Sequence, residues 1–150
     1  MASEELSENE QTAIDVRAAK LAVVLRDDLA VWQKLNVTAF LVSGIGTADP
    51  GVIGAPYLDG SGNKYLSMFI RPVLVFGSAA PGLNTVLERA RGRGVTCSIF
   101  TRDMFQTGND IDNRAAVARV AYDDLDLAGL AFHAERRVAD KILKGVALHS

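Results

Sequence analysis

The chain has 150 residues, a net charge of −2, and 49% hydrophobic against 23% charged residues. That composition suits one globular domain, which at this length buries about 68–70% of its unfolded surface. An isoelectric point near 5.6 gives no support to broad nucleic-acid binding, and no apolar run reaches the ~18 residues of a membrane span. Cys97 is the only cysteine, so no intrachain disulfide forms, and its apolar neighbours point to an inert thiol in a reducing compartment. The opening stretch carries Glu4, Glu5, Glu8 and Glu10 and lacks the basic and apolar regions of a secretory signal. A cytoplasmic protein is expected.

In chain order, residues 1–17 read as a flexible N-terminal arm and residues 18–150 as a single α/β domain. The apolar run 20–26 predicts a buried strand. Apolar spacing through Leu29, Trp32, Leu35, Val37, Phe40 and Leu41 predicts a helix over 29–43, with Asp27 or Asp28 as N-cap and Gly44 and Gly46 ending it. The Asp59–Asn63 turn residues predict an exposed hairpin-like excursion over 57–69, covering a crevice or an oligomer interface. A second strand follows at 72–76. Pro81-Gly82 opens a helix carrying Leu83, Val86, Leu87 and Ala90, which Gly92 and Gly94 close. A third strand is expected at 95–100, a helix at 110–122, a fourth strand at 125–132 and a last helix at 136–144. Alternating strands and helices predict an α/β domain with a largely parallel sheet.

Charged residues gather where such folds bind ligands, at the carboxyl ends of strands. Arg26, Asp27 and Asp28 follow the first strand. They read either as a binding or proton-transfer cluster or, more plainly, as a helix cap with a salt bridge. Asp103 and Thr107 follow the third strand and read as a carboxylate and hydroxyl at the same edge, or as a polar turn. Lys20 and Lys34 lie at the first strand and on the first helix, where lysine is ordinarily solvated. Arg89, Arg91 and Arg93 suit a helix carboxyl terminus. His133 and His149 lack partners at zinc-ligand spacing. No Gly-x-Ser-x-Gly elbow or phosphate-binding loop is present, and Gly44-Ile-Gly46 follows a helix where a dinucleotide fingerprint follows a strand. No metal and no cofactor are expected.

Taken together, Arg26-Asp27-Asp28-Leu29, Pro72-Val-Leu-Val-Phe76, Leu83 to Phe100, Asp103 with Thr107, and Asp140-Lys141 with Leu148 carry a resemblance. In this order they resemble a bacterial domain family of unknown function (DUF2000-like) grouped with the type II peptidyl-tRNA hydrolases. Arg26-Asp27-Asp28-Leu29 is similar to the hydrolases' Arg-x-Asp-Leu, and Asp103 and Thr107 to their Asp-x-x-x-Thr. The stretch Trp32 to Phe40 is closer to the unknown-function family. Ala30 stands where the hydrolases carry a lysine, Phe40 and Leu41 occupy the region of their Gln and His, and Asp110 to Asp126 is rebuilt.

The resemblance implies a three-layer α/β/α fold with a mixed four-stranded sheet. It implies Asp28, Asp103, Thr107 and Lys34 as the catalytic set, with Lys34 replacing the lost lysine, and Arg26, Asn36 and Lys20 as binding residues. The departures point to a module that binds a small ligand or partner in a crevice at the strand ends, with weak or no hydrolase activity. The alternative is a hydrolase of peptidyl-tRNA or a related aminoacyl or peptidyl ester. Expected partners are a small-molecule or RNA-linked ligand and a second copy in a homodimer. Asp28 and Asp103 are expected at the same end of adjacent strands, and the direction of Lys34, toward Asp103 or into solvent, separates the two readings.

Overall fold

A computed structural model describes residues 18–150; the expected arm over 1–17 lies outside the described residues. The strands are β1 (Ala19–Arg26), β2 (Tyr57–Leu58), β3 (Lys64–Tyr65), β4 (Val73–Ser78), β5 (Ser98–Thr101), β6 (Leu127–Glu135) and β7 (Ala147–Leu148). The helices are α1 (Val31–Ala48), α2 (Ala80–Gly92), α3 (Asp110–Ala118) and α4 (Arg136–Ile142). Five strands form one mixed sheet in the order β5-β6-β1-β4-β7. β1 runs parallel to β4 and antiparallel to β6, and β6 is antiparallel to β5.

The sheet is buried on both faces, which is why β1 and β6 read as continuous apolar runs. Leu21, Val23 and Leu25 face α1 and pack with Val37, Leu41 and Ile45. Ala22 and Val24 face the other way, toward Leu83, Val86 and Ala90 of α2 and Ala139 and Ile142 of α4. Gly129 sits under α1, where an added Cβ would lie 2.9 Å from Val37 Cγ1 and 3.1 Å from Leu41 Cδ1. Glycine there lets the helix close down on the sheet.

Several sequence expectations are corrected. The sheet has five strands instead of four, because Ala147 and Leu148 pair with Gly77 and Phe76 of β4. Two residues are too few to show a strand pattern, and Gly145 with φ of 81° turns the chain back to reach that edge. α1 runs through Gly44 and Gly46 to Ala48. Gly44 lies against Ser98 with Cβ room of 3.3 Å, and Ser98 Oγ donates to the Leu41 carbonyl at 2.7 Å. Gly44 therefore serves close packing, and Asp49-Pro50 ends the helix. The N-cap is Ala30, whose N–H donates to Gln33 Oε1 at 3.0 Å, and neither Asp27 nor Asp28 serves. β5 begins at Ser98, α3 ends at Ala118 and α4 ends at Ile142, each shorter than its apolar run.

The excursion is a two-stranded antiparallel hairpin rooted by the Ile53–Phe69 bridge. Asp59 organises its turn. Its carboxylate accepts from the Ser61 and Asn63 N–H groups at 2.9 and 3.0 Å and from Tyr65 Oη at 2.9 Å. The Asn63 side-chain nitrogen donates to it as well at 3.0 Å, and these bonds, that one foremost, hold its pKa down to about 2. No helix among the described residues is long and apolar enough to cross a membrane.

Candidate functional site

The carboxyl ends of β1 and β5 and the start of β6 share one edge of the sheet, as the strand directions require. Three groupings of polar residues stand along this edge.

The first is an ion cluster. Arg26 closes β1, and its guanidinium is held on two sides. Nε and Nη2 donate to the two oxygens of Asp28 at 2.8 and 3.2 Å, and Nη1 donates to Asp126 at 2.7 Å. The Arg26 hydrogen bond holds the Asp28 carboxyl below its ordinary range, and the same bond raises the Arg26 pKa. Asp28 is thus an ionised, bidentate partner with both oxygens engaged. The cluster ties the end of β1 to the start of β6, the salt-bridge half of the plainer reading.

The second grouping is a cavity of about 370 Å³ between α1, the end of β5 and the start of α3. Four aromatic rings wrap it in sequence of contact. Trp32 meets Phe105 edge-on at 6.2 Å, Phe105 meets Phe100 at 5.0 Å, and Phe100 meets Phe40 edge-on at 5.8 Å. Asn36, Thr107, Asn109 and Asn113 supply the polar wall. Asn109 is committed to capping α3, accepting from the Asp112 N–H at 2.9 Å. Thr107 Oγ1 contacts the Asn113 side-chain oxygen and the Met104 carbonyl. The Asn113 amide nitrogen and the exposed Asn36 carboxamide remain as donors and acceptors toward the cavity.

The third is Lys34. Its Nζ lies 3.1 Å from His149 Nε2, and His149 packs over Gly77 of β4. Lys34 therefore points neither at Asp103 nor into solvent.

The sequence-derived set is dispersed accordingly. Arg26 and Asp28 meet in the ion cluster, Asn36 and Thr107 in the cavity, and Lys34 meets His149. Asp103 is exposed in the first turn of a 3-10 helix, Arg102–Gln106. Asp28 and Asp103 follow strand ends at the same edge, but β6 runs between β1 and β5, so those strands are not adjacent. Lys20 stands at the far end of β1, paired with Asp140. Among the described residues no group of three or more His, Cys, Asp or Glu is placed to hold a metal ion.

Sequence reasoning missed Asp126, His149, Asn113 and the aromatic wall. Trp32 and Phe40 belong to the apolar spacing that predicts α1, yet Trp32 is 63% and Phe40 53% exposed. The buried stripe is Val37, Leu41 and Ile45. A usable signal was present. Trp32, Asn36 and Phe40 recur every fourth residue, a second stripe distinct from the buried one.

The family model for a protein of unknown function, DUF2000, matches residues 19–150. The chain belongs to the DUF2000 family. A solved structure of the DUF2000 chain's likeness is the protein of unknown function Atu0240 from Agrobacterium tumefaciens strain C58. It is 44% identical, with a TM-score of 0.86, covering 89% of this chain and 98% of that one. No curated protein matches.

Proposed function

We propose that this DUF2000 protein binds a small ligand with a flat apolar body and a polar edge in the cavity between α1 and the β5–α3 connection. The observation that carries this reading is the run of contacting rings Trp32, Phe105, Phe100 and Phe40, which line the cavity together with Asn36 and Asn113. Mostly apolar walls with a few polar groups are the usual make-up of small-molecule sites. Aromatic faces stack on a flat body, and carboxamides select its polar edge by hydrogen bonding.

The order of the Arg26-Asp-Asp-Leu29 segment, β4 and the Asp103–Thr107 turn supports a peptidyl-tRNA hydrolase II-like fold for the same domain. Hydrolysis would require a poised water and stabilisation of a developing oxyanion, and loss of one such donor removes about 10²–10³ in rate. Ala30 and the engagement of Lys34 with His149 favour binding over turnover. Purified protein is expected to show little turnover of peptidyl-tRNA, unchanged by Asp103→Ala. Robust turnover abolished in that variant would replace the binding reading with the hydrolase reading.

Trp32 is the only tryptophan, so its fluorescence reports on the cavity directly. Titration with benzamide and nicotinamide should shift Trp32 emission, and Asn113→Leu should weaken the effect by about tenfold, as loss of one or two hydrogen bonds requires. Emission unchanged by any flat aromatic amide would sink the proposal. A homodimer covering this face is favoured by the exposure of Val31 and Leu35 beside Trp32. Sedimentation of wild type against Leu35→Glu tests it, with a monomer in both cases removing that reading.

A further inference from the structure

The opposite end of the sheet carries a separate feature. Arg71 stands just ahead of β4 and is only 9% exposed. Its Nε and Nη1 are buried and have no hydrogen-bond partner among the described residues. Nε carries one N–H and Nη1 two. A guanidinium taken out of water without acceptors is costly, by several kcal/mol in general, and proteins keep such groups where a counter-charge compensates them.

Arg71 lines a cavity of about 210 Å³ together with Lys20, Arg136 and apolar residues near the amino ends of β1 and β4. Lys20 is paired with Asp140. Arg71 and Arg136 therefore give the cavity an excess of positive charge. It lies at the far end of β1 from the aromatic cavity and shares no residue with it.

We propose that this cavity is a binding site for a small oxyanion, of the size of inorganic phosphate or a phosphate monoester group. Arg71 and Arg136, which both line the cavity, supply its N–H donors and positive charge. An anion there gives Arg71 the counter-charge it lacks among the described residues. A volume of 210 Å³ accommodates the group.

The test is calorimetric titration of the full-length protein with inorganic phosphate, and separately with acetate, at constant ionic strength. Wild type should bind phosphate with Kd tighter than about 1 mM. Arg71→Met should weaken binding more than tenfold, and Arg136→Ala, at an exposed position that leaves folding intact, by three- to tenfold. Arg93→Ala, on the exposed turn after α2, should leave it unchanged. Acetate binding tighter than phosphate would assign the cavity to carboxylates and overturn the phosphate assignment. No phosphate binding by wild type, or binding indifferent to Arg71→Met and Arg136→Ala alike, would overturn the site. Phosphate binding that emerges only when Glu4, Glu5, Glu8 and Glu10 are changed to Gln would assign the cavity to the chain's own carboxylates, and so overturn a site for a free ligand.

Discussion

Arg26 and Arg71 stand at opposite ends of the β1–β4 pair, and the fold handles their charges in opposite ways. Arg26 spends its guanidinium on Asp28 and Asp126. Arg71 is the more deeply buried residue, yet its Nε and Nη1 have no partner among the described residues. A closed cluster stiffens structure and offers a ligand nothing. An open one retains the free energy of unsatisfied donors for whatever anion enters. The same contrast separates the ion cluster from the aromatic cavity at the carboxyl edge. A paired charge is therefore a poor guide to a site, and an unpaired buried one is a better guide.

The largest effect expected concerns a partly buried group that meets the same problem by staying neutral. Burial pushes the Cys97 thiol up to about 12 from 9.0. At pH 8 its thiolate is then scarcer by on the order of 10³-fold, and the thiolate is the reactive form. Reaction with a disulfide reagent should be slow in native protein and fast in denaturant. Native reactivity equal to that of a free thiol would show that water reaches this layer, weakening the contrast between closed and open regions.

Next come the two arginines themselves. Arg26→Met should lower stability by about 1–2 kcal/mol, a modest figure because both carboxylates are half-exposed and return to water. Arg71→Met, measured without phosphate, should leave stability unchanged or raise it by about 1–2 kcal/mol, since an apolar side chain of similar volume removes an uncompensated charge. Urea denaturation reads both. Changes of the same sign would break the comparison.

Acid sharpens it further. The folded-state pKa of Asp28 is depressed by Arg26, so its contribution is complete above the unfolded carboxylate value. That contribution fades as pH falls through the lower folded value. Wild type should therefore lose stability on acidification more steeply than Arg26→Met, in which Asp28 keeps only the weaker pull of Arg102. Parallel acid profiles would show that the cluster is not energetically coupled.

The smallest effect is local. Asp59 titrates at about 2, so the hairpin should stay ordered as pH falls through the ordinary carboxylate range and loosen only near that value. Carbonyl NMR of Asp59 and amide shifts of Ser61 and Asn63 follow it. The melting temperature should not respond to Asp59→Ala, because the hairpin strands are exposed. A midpoint near 4 would show that the turn is open in solution.

Much of the fold was legible in the residues. Four apolar runs predicted the four long strands, because strands buried on both faces cannot carry polar side chains. Pro81 and Gly94 marked the ends of α2 correctly, since φ restrictions act locally. Asp59-Gly-Ser-Gly-Asn63 announced its turn for the same reason. β7 was invisible, because two residues form a strand only when β4 offers an edge to pair with. Gly44 and Gly46 misled for a related reason. Their lack of a side chain reads locally as a helix stop, and only the approach of Ser98 to Gly44 shows close packing there instead.

The candidate site divides along the same line. Arg26 with Asp28 is a contact two residues apart and could be expected from sequence. Asp126 could not, because its meeting with Arg26 depends on β6 being inserted beside β1. Lys34 with His149, and Trp32 with Phe105, are likewise products of topology. Local patterning by itself determined which segments become strands, helices and turns, since that depends on hydrophobic period and backbone restriction over a few residues. Tertiary structure alone decided which charges are paired and which aromatic rings surround a cavity. Those outcomes depend on distances between residues remote in the chain, and strand order sets them.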